Sequence, residues 1–199
     1  MTFSSGGEPC TVSTPVQHLV RDSSALALSG SNILCEYSLA DDIEEVDGDP
    51  NQLRQALCDV ILNAREAMPG GGTIWILAEN SRAGSIGSQS TVSMNIENRY
   101  VRISIRDEGV GIPDKNLPKI FDPYFSTKDR GSQKGMGLGL TTAHSIIKRY
   151  NGRVHVESEV GIGTTFDIYL PASEKRGAAK RETEKRSVEK KGKVLLKGC

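Results

Sequence analysis

A stretch of 34 residues, 107–140, separates two regions of regular secondary-structure pattern. Its sequence is DEGVGIPDKNLPKIFDPYFSTKDRGSQKGMGLGL, in which glycine and proline recur at short intervals. Both residues interrupt helices and strands, because proline lacks a backbone N–H and glycine loses more conformational freedom on folding than other residues. We therefore expect almost no regular structure here, apart from a short turn near Asn116–Phe121. The helices and strands of the fold therefore have to be formed mainly by the residues before and after this stretch.

Three segments have the apolar spacing of an amphipathic helix. The clearest begins at Asp49-Pro50, where Asp49 is a favourable N-cap and proline suits the first turn, and ends at Met68 before a proline and three glycines. The predicted helices are 16–28, 50–68 and 138–150. The predicted strands, which are rich in β-branched or alternating apolar residues, are 33–39, 73–79, 100–107, 153–159 and 164–170.

The order of these elements predicts the fold class. Helix, strand, helix, strand, strand, helix, strand, strand does not alternate as a parallel α/β protein does. We predict an α+β fold, a two-layer α/β sandwich with a mixed, mostly antiparallel sheet and its helices on one face. The 199 residues allow one domain with attachments. We expect 15–171 to form it, 1–14 to lead into it as an irregular segment, and 172–199 to be a charged linker and tail.

Charge and composition exclude several functions. The chain has 25 basic and 25 acidic residues, but 172–199 alone carries ten Lys or Arg and four Asp or Glu. Acids are mixed into this basic tail and aromatic residues do not interleave it, so we expect a linker and no nucleic-acid binding. The apolar runs fall short of the roughly 18 residues of a membrane span, and the first residues do not resemble a signal peptide. The four cysteines form no CxxC pair. We therefore expect a cytoplasmic domain without membrane contact.

Asp59 and Asn63 are the first candidate site residues. They are four apart, beside the apolar stripe of the helix 50–68, so both side chains can project into a cleft above it. Mg²⁺ prefers one or two such oxygen ligands together with phosphate oxygens. The pair indicates a metal–phosphate site or, equally simply, the polar side of an amphipathic helix.

Asp107 is the second candidate. It ends a predicted strand and is followed at once by Gly109 and Gly111, which let the backbone approach a flat ligand closely. A buried carboxylate accepts hydrogen bonds and donates none, so it would pair with the exocyclic amine of adenine and reject the carbonyl of guanine. The same short pattern is also typical of an ordinary turn.

The segment Gly135–Leu140 is the third candidate. Its three glycines run directly into a predicted helix, whose free N–H groups make an anion site. A polar stretch rather than a strand precedes them, which excludes a dinucleotide-binding turn, and no GK[ST] follows, which excludes a Walker A loop. The pattern favours a phosphate-binding lid, with Lys128, Arg130 and Lys134 available to phosphates.

Together these motifs resemble a known family. Asp59-x-x-x-Asn63-Ala64, Asp107-x-Gly109-x-Gly111, Phe121-x-Pro123-Tyr124-Phe125, Gly135-x-Gly137-x-Gly139 and Gly163-Thr164-Thr165-Phe166 resemble, in order, the N, G1, F and G2 boxes and the closing strand of sensor histidine kinases. The resemblance covers about residues 30–171, and we expect an NtrB-like or hybrid kinase. Such kinases share the Bergerat fold with the ATPase domains of DNA gyrase, Hsp90 and MutL.

The resemblance implies ATP and Mg²⁺ as cofactors and assigns roles to individual residues. Asn63 and Asp59 are implied to contact the metal and, with Lys128, to act in catalysis. The residues implied to bind the nucleotide are Asn63, Asp107, Gly109, Gly111, Ile112, Phe121, Phe125, Lys128, Gly135, Gly137, Leu138, Gly139, Leu140 and Thr165, with Thr165 backing the adenine. Asp59 is a departure, since histidine kinases often have Asn there and gyrase-type ATPases a general-base Glu. Its role stays open between metal contact and water activation.

The resemblance also implies partners that this sequence does not contain. A complete kinase needs a phosphoacceptor histidine, and the sequences around His18, His144 and His155 do not match that motif. We therefore expect an excised catalytic domain that transfers the γ-phosphoryl of ATP to a histidine on a separate dimerisation domain. The resemblance also implies a downstream partner, a response regulator or receiver domain. The alternatives are a self-contained ATPase and a module that binds nucleotide without transferring it.

Overall fold

The computed structural model describes residues 11–82, 99–126 and 137–174. The helices are α1 (Val16–Ala27), α2 (Pro50–Ala67) and α3 (Gly139–Arg149). The strands are β1 (Val12–Thr14), β2 (Ile33–Leu39), β3 (Val46–Gly48), β4 (Gly72–Arg82), β5 (Arg99–Asp107), β6 (Arg153–Glu159) and β7 (Gly163–Pro171). Each predicted helix and strand is present with closely similar bounds. Between β5 and α3 the described residues contain one short 3₁₀ turn, Leu117–Lys119, inside the predicted turn.

The main sheet has five strands in the order β2-β4-β5-β7-β6. The pair β2–β4 is parallel, and the other three pairs are antiparallel. The core lies between this sheet and the helices, where Ile103, Phe166 and Ile168 are fully buried. On the outer face Trp75 stays partly exposed, and the guanidinium of Arg106 lies over its ring. The predicted two-layer α/β sandwich is confirmed.

Helix α2 spans the core and positions α3. Its predicted N-cap is confirmed, since the Asp49 side chain accepts a hydrogen bond from the backbone N–H of Asn51 at 2.8 Å. The hydroxyl of Tyr150, at the end of α3, donates to Gln52 Oε1 in the first turn of α2 at 3.0 Å. Because the end of α3 is tied to the start of α2, the start of α3 lies beside the middle of α2.

The short strands β1 and β3 were not predicted. They form a separate antiparallel pair in which Val12 lies opposite Gly48. Residues 12–14, expected to be irregular, are therefore a strand. Ser13 donates to Glu45 Oε2 at 2.6 Å, and the N–H of Ser173 donates to the Glu45 carbonyl at 2.7 Å. Three residues are too few to show a periodicity, so only pairing in three dimensions reveals these strands.

The predicted limits of the domain, residues 15 and 171, stay predictions.

None of the helices in the described part of the chain is both long and apolar enough to cross a bilayer.

Candidate nucleotide-binding site

A cavity of about 480 Å³ opens between α2, the loop that follows β5, and the start of α3. The predicted site residues that line it are Asp59, Asn63, Gly111, Ile112, Phe125, Gly137, Gly139 and Leu140. Further lining residues, to which the sequence assigned no role, are Leu62, Glu66, Ala67, Val110, Ile120, Ser126 and Thr164. Three motifs that are far apart in the sequence thus meet at one concave surface.

Helix α2 forms the first wall and presents polar groups to the cavity. Asp59 and Asn63 lie one turn apart and are both partly buried. The side-chain amide of Gln55 donates to Asp59 Oδ1 at 2.8 Å, which orients the carboxylate. Burial raises the pKa of Asp59 to about 6, and the hydrogen bond from Gln55 opposes that rise. This wall therefore offers an amide oxygen and a carboxylate that ionises near neutral pH.

Asp107 lies behind the cavity, at the end of β5. Asp107 is only 2% exposed, and it is not among the residues that line the cavity directly. Its Oδ1 accepts a hydrogen bond from the Gly109 N–H at 2.8 Å. Burial raises the pKa of Asp107, while backbone N–H groups of Gly109 and Thr164 oppose the rise. The structure thus buries a hydrogen-bond acceptor next to the loop that lines the cavity.

The loop after β5 is held on both sides. The N–H of Val110 donates to the carbonyl of Ala67, at the end of α2, at 3.1 Å. On the other side Gly111 adopts a φ of +70°, and a Cβ atom there would lie 2.1 Å from the carbonyl oxygen of Glu159. Only glycine is compatible with that approach. The two glycines predicted to line a flat ligand therefore also fix the loop between α2 and the β6–β7 turn.

The start of α3 forms the opposite wall. Gly139 faces α2, since a Cβ atom there would lie 3.7 Å from Asp59 Cβ. The N-cap residue of α3, Leu138, makes no side-chain cap hydrogen bond, so among the described residues it does not compete with an anion for the first N–H groups of the helix. The N–H of Tyr124 donates to the carbonyl of Gly137 at 3.1 Å, which joins the segment before residues 127–136 to the segment after them.

The prediction for Thr165 is corrected by the sheet register. Asp107 lies opposite Thr164, and Arg106 lies opposite Thr165. Successive side chains of a strand point to opposite faces of the sheet. Thr164 is therefore on the helix side, where it is buried and lines the cavity, whereas Thr165 shares the outer face with Arg106. Of these two neighbouring residues, Thr164 and not Thr165 lines the cavity.

The remaining predicted residues divide into two groups. Gly109, Phe121 and Leu138 are described but are not among the residues that line the cavity; Leu138 is the N-cap of α3. Lys128 and Gly135, with Arg130 and Lys134, lie outside the described residues. Leu62, Val110 and Ile120 are further apolar residues that line the cavity. In the sequence, only their position next to a motif residue could have indicated this.

The chain is similar in sequence to known proteins. Residues 48–174 match the family model described as histidine kinase-, DNA gyrase B-, and HSP90-like ATPase. The chain is 40% identical over 144 residues to the sensor kinase CckA of Brucella abortus, covering 72% of this chain and 15% of that protein. It is 36% identical over 141 residues to sporulation kinase E of Bacillus subtilis, covering 71% of this chain and 16% of that protein.

A solved structure shows the same fold. It is the full-length ShkA structure in complex with AMPPNP, which aligns with a TM-score of 0.65 at 21% identity, covering 85% of this chain and 33% of that chain. The chain spans about a sixth of the length of the two curated relatives above.

Proposed function

This chain belongs to the family of histidine kinase-, DNA gyrase B- and HSP90-like ATPases, and we propose that it transfers the γ-phosphoryl of ATP to a histidine carried by a separate dimerisation domain. The observation that carries the proposal is the meeting of Asn63 on α2 with the first turn of α3 in one cavity. The buried Asp107 does not itself line that cavity, but it lies opposite Thr164, which does. This arrangement supports a site for a single ligand that combines a metal-binding group, an anion and a hydrogen-bond donor.

Adenine recognition is the role we propose for Asp107. The carboxylate is fixed by the Gly109 N–H and is removed from bulk water, so it favours a ligand that donates a hydrogen bond. The amine of adenine donates, and the carbonyl of guanine does not. A purine that cannot donate would leave a buried acceptor unpaired, which costs about 1–3 kcal/mol. The site therefore selects adenine over guanine nucleotides.

The phosphates would lie between the two helices. The first N–H groups of α3 are donors to phosphate oxygens, and Lys128 would add a positive charge from the segment outside the described residues. The hard oxygen atoms of Asn63 and Asp59 fit Mg²⁺. The described residues contain no cluster of three or more His, Cys, Asp or Glu that could hold a metal alone, so phosphate oxygens would complete its coordination. Bound Mg²⁺ would neutralise phosphate charge, and the protein would contribute mainly positioning.

The histidine that accepts the phosphoryl group has to lie on another domain. His18 is on α1, His144 on α3 and His155 on β6, and none of the three lines the cavity. Phosphoryl transfer requires the attacking nitrogen in line with the γ-phosphorus. We therefore assign the acceptor histidine to a dimerisation domain, and the next transfer to a response regulator or receiver domain. Because ATP is the substrate, we place the domain in the cytoplasm.

A second candidate function is ATP hydrolysis. The observation that favours it is Asp59, a cavity-lining carboxylate whose pKa of about 6 suits proton abstraction near neutral pH. In this function Asp59 would take a proton from water that attacks the γ-phosphorus, and phosphate would be released instead of transferred.

One experiment separates these functions. The chain is incubated with γ-labelled ATP and Mg²⁺, with and without a dimerisation-domain fragment that carries the phosphoacceptor histidine. We expect acid-labile phosphate on the fragment alone and its loss with Asn63→Ala. Asn51→Ala serves as the matched control, because Asn51 is exposed at the start of the same helix. Free phosphate without labelled protein would favour hydrolysis, and neither product would favour a nucleotide-sensing module. Label on this chain itself would contradict the proposal.

A further inference from the structure

The rings of Phe121 and His144 stack on each other, with centroids 4.6 Å apart and an interplanar angle of 23°. Both distance and angle lie in the range of favourable aromatic pairs. Phe121 belongs to the irregular segment after β5, whereas His144 is on α3. The contact therefore joins a segment without regular structure to a helix. The family motifs quoted above include Phe121 but assign no part to His144.

Several contacts between described residues hold the segment Phe121–Ser126. They include three backbone hydrogen bonds: Asp122 N–H to the Lys119 carbonyl, Phe125 N–H to the Asp122 carbonyl, and Tyr124 N–H to the Gly137 carbonyl. Tyr124 is 76% exposed, so its ring contributes little burial. Phe121 and Phe125 pack partly against the core. The ring stack is thus one of the contacts between described residues that hold this segment in place.

This segment forms part of the cavity wall. Phe125 and Ser126 line the cavity, as do Gly139 and Leu140 in the first turn of α3. His144 follows Leu140 by four residues, so both occupy the same side of α3. A displacement of Phe121 from His144 would carry Phe125 with it and change the width of the cavity next to the anion site.

The surroundings of His144 favour the uncharged form of its ring. Burial and the neighbouring ammonium group of Lys148 lower the pKa of His144 below its ordinary value. A neutral imidazole can stack on Phe121 without the cost of removing a charge from water. The same contact is therefore available to another aromatic side chain of similar size.

We propose that His144 is a positioning residue of the nucleotide site: its stack on Phe121 fixes the segment Phe121–Ser126 against α3 and so sets the cavity wall that receives the nucleotide. This inference rests on the proposed function, because it assumes that the cavity binds ATP. It gives His144 a role in affinity for nucleotide and none as a phosphoryl acceptor.

The test compares variants of the full chain by calorimetric titration with Mg-ADP, at a temperature where circular dichroism shows each to be folded. His144→Ala should weaken binding by about three- to tenfold, the range expected from loss of one aromatic pair. His144→Phe, which restores a flat ring, should bind within about twofold of the unmodified chain. The control His155→Ala removes a half-exposed histidine on β6 and should also leave binding unchanged.

A second variant and a kinetic readout separate positioning from general stability. His144→Leu keeps apolar volume without a flat ring, so it should stay folded and still bind more weakly than His144→Phe. In the transfer assay with the dimerisation fragment, the loss should appear as a higher KM for ATP with kcat nearly unchanged. Unaltered binding by folded His144→Ala and His144→Leu would overturn this inference alone. Failure of the unmodified chain to bind Mg-ADP would overturn the proposed function and this inference with it.

Discussion

A Cβ atom on Gly163 would lie 2.0 Å from the carbonyl oxygen of Asp107. The two residues are on the paired strands β7 and β5, and Gly163 has a φ of +138°. A side chain on Gly163 would therefore overlap with the backbone at the point where Asp107 ends β5. Since the obstructing atom is backbone, it cannot move without displacing Asp107 itself.

Replacement of this glycine should destabilise the domain. Gly163→Ala combines an unfavourable backbone conformation with a steric overlap, and we expect a loss of about 2–4 kcal/mol in the free energy of unfolding. Gly161→Ala is the matched control, because Gly161 also has a positive φ of +81° but has no atom within 4 Å of its Cβ position. It should lose only about 1–2 kcal/mol. Urea denaturation measures both, and equal losses would show that the approach of Asp107 is not what requires glycine.

Asp107→Asn should weaken the binding of adenine nucleotides. An amide can still accept the hydrogen bond from Gly109, but it offers a donor where the adenine amine needs an acceptor. The expected loss is about 5- to 150-fold in affinity for ADP, from about 1–3 kcal/mol. Titration with ADP and GDP checks both the loss and the selectivity. Equal affinity of the unmodified chain for the two nucleotides would refute adenine recognition by Asp107.

Stability should depend on pH through Asp59. The folded-state pKa of about 6 lies above the ordinary value near 4, so the folded protein binds this proton more tightly than the unfolded chain does. Ionisation of Asp59 therefore lowers stability as pH rises from about 4 to about 6. Asp59 is only partly buried, so we expect a cost of the order of 1 kcal/mol.

The variant Asp59→Asn isolates this contribution. It should be about 1 kcal/mol more stable than the unmodified chain at pH 7.5 and nearly equal to it at pH 4. Urea denaturation in metal-free buffer at the two pH values gives the comparison. Asp22→Asn, which removes an exposed carboxylate on α1, is the control. A gain for Asp59→Asn that is the same at both pH values would show that burial of the charge is not its source.

Local pattern was sufficient for most of the secondary structure. Helix α2 could be predicted because Asp49, the apolar stripe and the following glycines each act within a few residues of chain, and the helix begins at the predicted residue. The motifs around Asn63, Asp107 and Gly137 could also be recognised, because their chemistry depends on residue type and spacing. The sequence by itself therefore determined the fold class and the family.

Tertiary structure decided which side chains meet. Thr164 and Thr165 are chemically identical neighbours, and only the pairing of β7 with β5 places Thr164 beside the cavity. The stack of His144 on Phe121 joins residues 23 positions apart through a segment without periodicity. The strands β1 and β3 become visible only as partners. In each case the deciding interaction is between residues that are distant in the sequence. Such an interaction does not require a repeating pattern of residue types along the chain, so it cannot be predicted from local sequence.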